Sequence, residues 1–95
     1  MRIVILTNYS IGFSREYYEI DDSYCDKSPK DILMKLAMDE DEIRKGFIEH
    51  IKKILDDIIY LSNGLSLDRN RSIREQIGGC DNTTQIVIMH EIMGG

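Results

Sequence analysis

Cysteine occurs only twice in the 95 residues, at Cys25 and Cys80, with neither a CxxC pair nor a Cys/His cluster, so the ligand spacing of a zinc site is absent. Neither a metal nor a cofactor is expected. Proline occurs once and there is no low-complexity tract, which argues against disorder. No apolar run approaches the ~20 residues that span a bilayer, and no charged segment leads into the apolar core of a secretory signal. These absences predict a cytoplasmic protein that does not enter a membrane and keeps both thiols reduced. Without secretion, the sequons at Asn70 and Asn82 carry no meaning. Positive charge is also scarce. Twelve Lys and Arg stand against 17 Asp and Glu, net −5, so duplex DNA is expected to be repelled.

The remaining composition, 42% hydrophobic and 31% charged, is that of a globular chain, and its length allows a single domain over residues 1–95. A domain near this size buries only about 60 to 65% of its unfolded surface, so self-association into a homodimer is expected to supplement the core. The acidity is uneven. Residues 1–43 hold 10 acids and 5 bases, while residues 44–95 hold 7 of each.

Residues 2–7 (RIVILT) are a short run, apolar on both faces, as in a central strand. Residues 15–20 (REYYEI) read as a second, more polar strand closed by Asp21, Asp22 and Ser23. Ser28, Pro29 and Asp31 have the form of a helix start, with Ile32, Leu33, Leu36 and Ala37 as its buried stripe. Asp39 and Glu42 suggest a second start, followed at helical spacing by Ile43, Phe47, Ile51, Ile54, Leu55, Ile58 and Leu61 and stopped by Asn63-Gly64. A helix over residues 41–61 is therefore predicted. Residues 71–77 (RSIREQI) fit either a capping box at Ser72 and Glu75 or a period-two strand, and the strand is preferred, forming a hairpin with residues 85–92. The expected architecture is α+β, a single mixed β-sheet of about four strands with two or three helices packed on it, in the order β-β-α-α-β-β.

Three groups of residues could carry chemistry. Asn8 and Ser10, after the first strand, lie where sheet ligands often sit, although both also suit a plain turn. Arg69, Arg71 and Arg74 place three guanidiniums within six residues, and planar forked donors suit phosphate oxygens. As a strand, the segment would send Arg71 and Arg74 to opposite faces. His50 and His90 are the only side chains that titrate near neutrality unaided, so they are the candidate proton-transfer groups, though neither has a partner in sequence. Cys80 in its Gly-rich turn has no nearby histidine to activate it. Asp39–Glu42 reads first as a helix start and second as an acidic surface for a host protein.

VILTNYSI at the first strand, NGLSLDRNR at residues 63–71, and QIVIM after Asp81 cover about a quarter of the chain. Together they resemble the small single-domain proteins of archaeal viruses, with bacterial relatives, that include the viral type III anti-CRISPR ring nucleases. The resemblance implies a symmetric dimer holding cyclic tetra-adenylate across the subunit interface. On the matching positions, Asn8 and Ser10 would contact the ligand and Arg71 would hold a phosphate. The family's catalytic Gly-His-x-Ser-Thr motif is replaced here by Ile51-Lys52-Lys53-Ile54-Leu55, with His50 out of register, and its Arg and Glu after the last strand are unmatched. The expectation is therefore a viral or mobile-element counter-defence factor that binds a cyclic oligonucleotide without cutting it. The alternatives are a protein-binding inhibitor acting through its acidic surface and a ring-nuclease-like phosphodiesterase.

Overall fold

The structure, a computed structural model, describes residues 1–91. The residues beyond, among them the expected strand end Ile92 and the positions where the resembled family carries Arg and Glu, lie outside the described part. The chain runs β1 (Arg2–Ile5), α1 (Asn8–Ile11), β2 (Tyr17–Glu19), α2 (Pro29–Ile43), α3 (Phe47–Ile54), β3 (Ile58–Ser62), β4 (Leu65–Ser66), α4 (Ile73–Ile77) and β5 (Gln85–His90), with 3-10 turns at Asp22–Asp26 and Leu55–Asp57. The fold class is the expected α+β with one mixed sheet. The five strands lie in the order β2-β1-β5-β3-β4, with β1 and β5 parallel and every other pair antiparallel.

Where the apolar pattern and the local caps agree, the reading from sequence is realised. Ser28 accepts a hydrogen bond from the Asp31 amide at 3.2 Å, Pro29 occupies the first helical position, and Ile32, Leu33, Leu36 and Ala37 are buried. Two expectations are corrected. The helix over residues 41–61 does not exist: α2 continues to Ile43, the chain turns through Gly46 at φ 94°, and α3 ends at Ile54. Such a φ suits glycine and not L side chains, so the helix cannot run through this point. Asp41 then accepts the Gly46 and Ile48 amides at 3.1 and 3.0 Å, so a side chain of α2 caps α3. Ile58 and Leu61, read as the end of that helix stripe, instead belong to β3, where Ile58, Tyr60 and Ser62 are buried in alternation. Ile43 is 78% exposed.

The second correction is at residues 71–77. They form no strand and no hairpin: α4 starts with Ser72 accepting from the Glu75 amide at 3.0 Å and ends at Gly78, φ 91°. The last strand pairs instead with β1 and β3, in register Ile3↔Ile86 and Tyr60↔Ile88.

The thiols are not reduced either. Cys25, fully buried in the first 3-10 turn, is bonded to Cys80 in the loop before β5, with Cα atoms 5.8 Å apart. Docking of α4 on that turn brings the two together: Arg74 pairs with Asp26 at 2.6 Å and the Ile73 amide donates to Lys27 O at 3.0 Å. Cysteines 55 positions apart cannot be recognised as neighbours until this packing exists.

The core lies on one side of the sheet, where Ile3, Ile5, Ile58, Tyr60, Ile86 and Ile88 meet Ile11, Leu33, Phe47, Ile51 and Ile73 of the four helices. Tyr60 is only 2% exposed and its hydroxyl has no hydrogen-bond partner. Burial pushes its pKa from 10.0 up to about 12, against a smaller opposing pull from the Arg69 guanidinium. The neutral phenol is the form the fold holds. Its contribution to stability is intact below about pH 10 and lost as pH rises toward about 12. Tyr60→Phe is expected to flatten this alkaline decline and to raise stability near pH 7 by about 1 kcal/mol, because a buried hydroxyl without a partner is removed. Urea denaturation of both proteins at pH 7 and pH 11 checks this; parallel losses in the two would refute it.

Candidate functional site

The two parallel strands end together. Leu6 donates its amide to Ile88 O at 2.8 Å, and beyond it Thr7 adopts φ 50° and ψ 39°, left-handed geometry that is uncommon for a β-branched residue. Holding it costs about 1 to 3 kcal/mol, and the surroundings over-determine it. Thr7 Oγ1 donates to Leu6 O at 2.7 Å and accepts the His90 amide at 3.0 Å, while Thr7 O accepts the amides of Ser10 and Ile11. The single helical turn α1 is thereby bent back over the end of β5.

This turn sets Ser10 beside His90. Ser10 Oγ lies 2.9 Å from Thr7 O and 3.2 Å from His90 Nδ1, both side chains being half-buried. With the serine proton on Thr7 O, the shorter contact, the hydroxyl accepts from Nδ1–H, and the other ring nitrogen of neutral His90 is left as an acceptor. Among the described residues that nitrogen, Nε2, has no hydrogen-bond partner. In this arrangement the serine proton points away from the ring. Nε2 is free to accept a hydrogen bond from a bound group, and a protonated ring would donate one there.

Asn8 faces inward. Its side-chain amide donates to Phe13 O at 2.8 Å and to Arg15 O at 3.4 Å, bracing the loop that follows α1, and its Oδ1 is buried without a partner. Tyr9, between them, is 84% exposed. An open groove of about 440 Å³ runs along residues 4–9 and Glu16, so the tyrosine ring and Leu6 border a surface rather than a closed cavity.

His50 is occupied elsewhere. Its Nε2 donates to Ile11 O at 2.9 Å and its ring tilts against Phe47 with centroids 5.9 Å apart, which fixes the end of α1 onto α3. Arg44 and Lys45, not singled out from sequence, line a shallow hollow with His50 and Gly12. Arg44 donates to Gly12 O and pairs with the buried Glu40 at 3.5 Å. Glu40 also accepts from Ser14 Oγ at 2.8 Å and Asp39 pairs with Lys35 at 3.6 Å, so three of the four acids at residues 39–42 have partners within the chain.

The three arginines do not converge. Arg69 pairs with Asp56 at 3.3 Å, Arg71 with Glu75 at 3.7 Å and Arg74 with Asp26 at 2.6 Å. Each meets a different carboxylate. Arg69 nevertheless returns to the end of the sheet that carries His90: Leu67 pairs with Tyr60, Arg69 reaches Asp56 O, and the Glu91 amide donates to Asp57 O. No contact within the chain joins Arg71 to Asn8 or Ser10 among the described residues. No group of three or more His, Cys, Asp or Glu side chains could hold a metal among the described residues, and no described helix is long and apolar enough to cross a membrane.

Sequence reading named Ser10 and His90 separately and missed their pairing, because the last strand was placed in a hairpin with residues 71–77. Thr7 was also missed as the residue that holds the turn. Its one sequence signal is a hydroxyl residue between an apolar run and Asn8. No protein family, no curated protein and no solved structure matches the chain.

Proposed function

We propose that this is a small non-catalytic binding protein for a phosphorylated, nucleotide-type ligand, working as a homodimer. The observation that carries the reading is the convergence of Thr7, Ser10 and His90 at the carboxyl ends of two neighbouring parallel strands, with the Tyr9 ring free beside them. A tyrosine face stacks on any base, and His90, when its ring is protonated, supplies an Nε2–H donor for phosphate oxygen. Arg69 and Arg71 are the phosphate contacts in this reading, since the exposed pairs they would give up are worth under about 1 kcal/mol each. The resemblance to the ring-nuclease family narrows the ligand to a cyclic oligoadenylate, with Asn8 shaping the loop. A cytoplasmic place agrees with the Cys25–Cys80 bond best in the setting of hyperthermophiles, whose intracellular proteins are disulfide-rich.

Isothermal titration with cyclic tetra-adenylate, AMP and ATP tests the reading. Binding of the cyclic ligand is expected, weakened at least tenfold by His90→Ala or Tyr9→Ala and reduced by Arg71→Ala, and chromatography should recover the ligand intact. Absence of heat with all three nucleotides would overturn it. Linear product would move His90 to a proton-transfer role in a phosphodiesterase. A second reading, a protein-binding inhibitor, draws on the far end of α2, where Met38 and Ile43 are 59% and 78% exposed among Asp39 and Glu42.

A further inference from the structure

The sheet has two faces and the helices cover one. On the other, the registers Val4↔Tyr17, Val4↔Val87, Leu61↔Val87 and Ile59↔Met89 align Val4, Tyr17, Ile59, Leu61, Val87 and Met89 across four strands. All but Tyr17 are half-buried and Tyr17 is exposed, and none of the six belongs to the core cluster or packs against it. A solvated face of a mixed sheet ordinarily alternates to polar residues, whereas parallel strands that are apolar on both sides belong inside a protein. We infer that this face is the homodimer interface, covered by the same face of a second copy. The inference deepens the dimer named above by assigning its surface, and it rests on that reading only for the dimer.

Size and charge both select a second copy. The molecule is a slab with extents 34 × 33 × 20 Å, and an ellipse on its two long axes covers about 900 Å², against roughly 800 Å² per partner in a stable interface. A slab of that thickness is two layers, one of helices and one of sheet. The charged residues registered within the strands of the open face are Arg2 and Glu19, which pair with each other at 2.6 Å, while Asp57 and Glu91 stand exposed just past the strand ends, so stacking the strands buries a matched pair. The acidic excess of the first half sits mainly between Asp21 and the end of α2, in the other layer. Face-to-face sheets about 10 Å apart would hold the two helix layers on the outside, ~30 Å from one another. That is several times the ~8 Å Debye length at physiological salt, so a net charge of −5 per chain does not oppose this dimer.

Light scattering on the ligand-free chain decides the matter. The wild type should run at twice its 11.0 kDa mass at micromolar concentration, with a melting temperature that rises with protein concentration. Val87→Glu should run as a monomer with an unchanged far-ultraviolet dichroism spectrum. Should Val87→Glu fail to fold, Tyr17→Glu on the edge strand β2 makes the same test at an exposed position and should weaken the dimer at least tenfold. A wild type that stays monomeric at hundreds of micromolar overturns the inference, and so does a dimer unaffected by a folded variant. A ligand-free dimer that gives no heat with nucleotides would overturn the ligand reading alone.

Discussion

Reducing the Cys25–Cys80 bond is expected to lower the unfolding free energy by about 4 kcal/mol, the loop-closure entropy that a bridge between residues 55 apart removes from the unfolded chain. Domains of this size have only about 5 to 15 kcal/mol in total, so the loss is a large fraction of the stability. The reductant has to enter from the Cys80 side, since Cys25 is fully buried while Cys80 is half-exposed. Urea midpoints with and without dithiothreitol measure the effect, and a Cys25→Ala, Cys80→Ala double variant should show a loss of similar size. Coincident midpoints, or two titratable thiols in the native oxidised protein, would contradict it. The same bond explains how a lightly built corner holds: the 3-10 turn, the five-residue α4 and the loop before β5 have one large buried residue between them, Ile73, besides the bridge.

Phe47→Ala should cost about 4 kcal/mol, in the range for removing a buried phenyl ring. The ring is the hinge-pin of the α1–α3 corner: it meets Phe13 edge-on with centroids 4.9 Å apart, lies under the Arg44 guanidinium at 5.4 Å, and touches His50. Gly12, which faces this ring, sits at φ 94°, an angle L side chains rarely adopt, and that angle explains glycine there. Phe47→Leu should lose roughly 1.5 kcal/mol, since most of the volume stays. Because this corner supports the turn that carries Ser10, a folded Phe47→Leu protein should also bind nucleotide more weakly than wild type. Denaturation curves for both variants, followed by titration of the leucine form, check both statements. An alanine variant within 1 kcal/mol of wild type would show that the corner is not packed as described.

How far the sequence could be read depended on whether the deciding partner was near in the chain. The start of α2 was legible because Ser28, Pro29 and Asp31 act on their own helix. β1 and β5 were legible as central strands because they are apolar on both faces. The break at Gly46 was hidden by Ile43, Phe47, Ile51 and Ile54, whose spacing runs helically across a turn, and β3 was hidden because Ile58 and Leu61 keep that spacing by coincidence. In α4, the Ser72–Glu75 capping signal outweighed a two-residue alternation that the strand reading had preferred. Site residues followed the same rule. Ser10 and His90 were visible as reactive types, but their contact spans 80 positions. The arginines looked like a cluster because two of their carboxylate partners lie outside the segment, Asp56 13 positions and Asp26 48 positions away.

The pairing of β1 with β5 has a kinetic side. Arg2 lies opposite Gln85, so the middle of the sheet joins two segments separated by nearly the whole described chain. Local pieces such as the β3–β4 turn can form early, but β1 gains its second neighbour only after a closure of more than 80 residues, which places folding toward the slow end for domains of this length. Until then the RIVI segment is an apolar strand with one open edge, and it is the part of the molecule that would recruit the wrong neighbour. The disulfide contributes here as well, since it ties Cys80 to the turn after β2 and so shortens the search that β5 must make for β1.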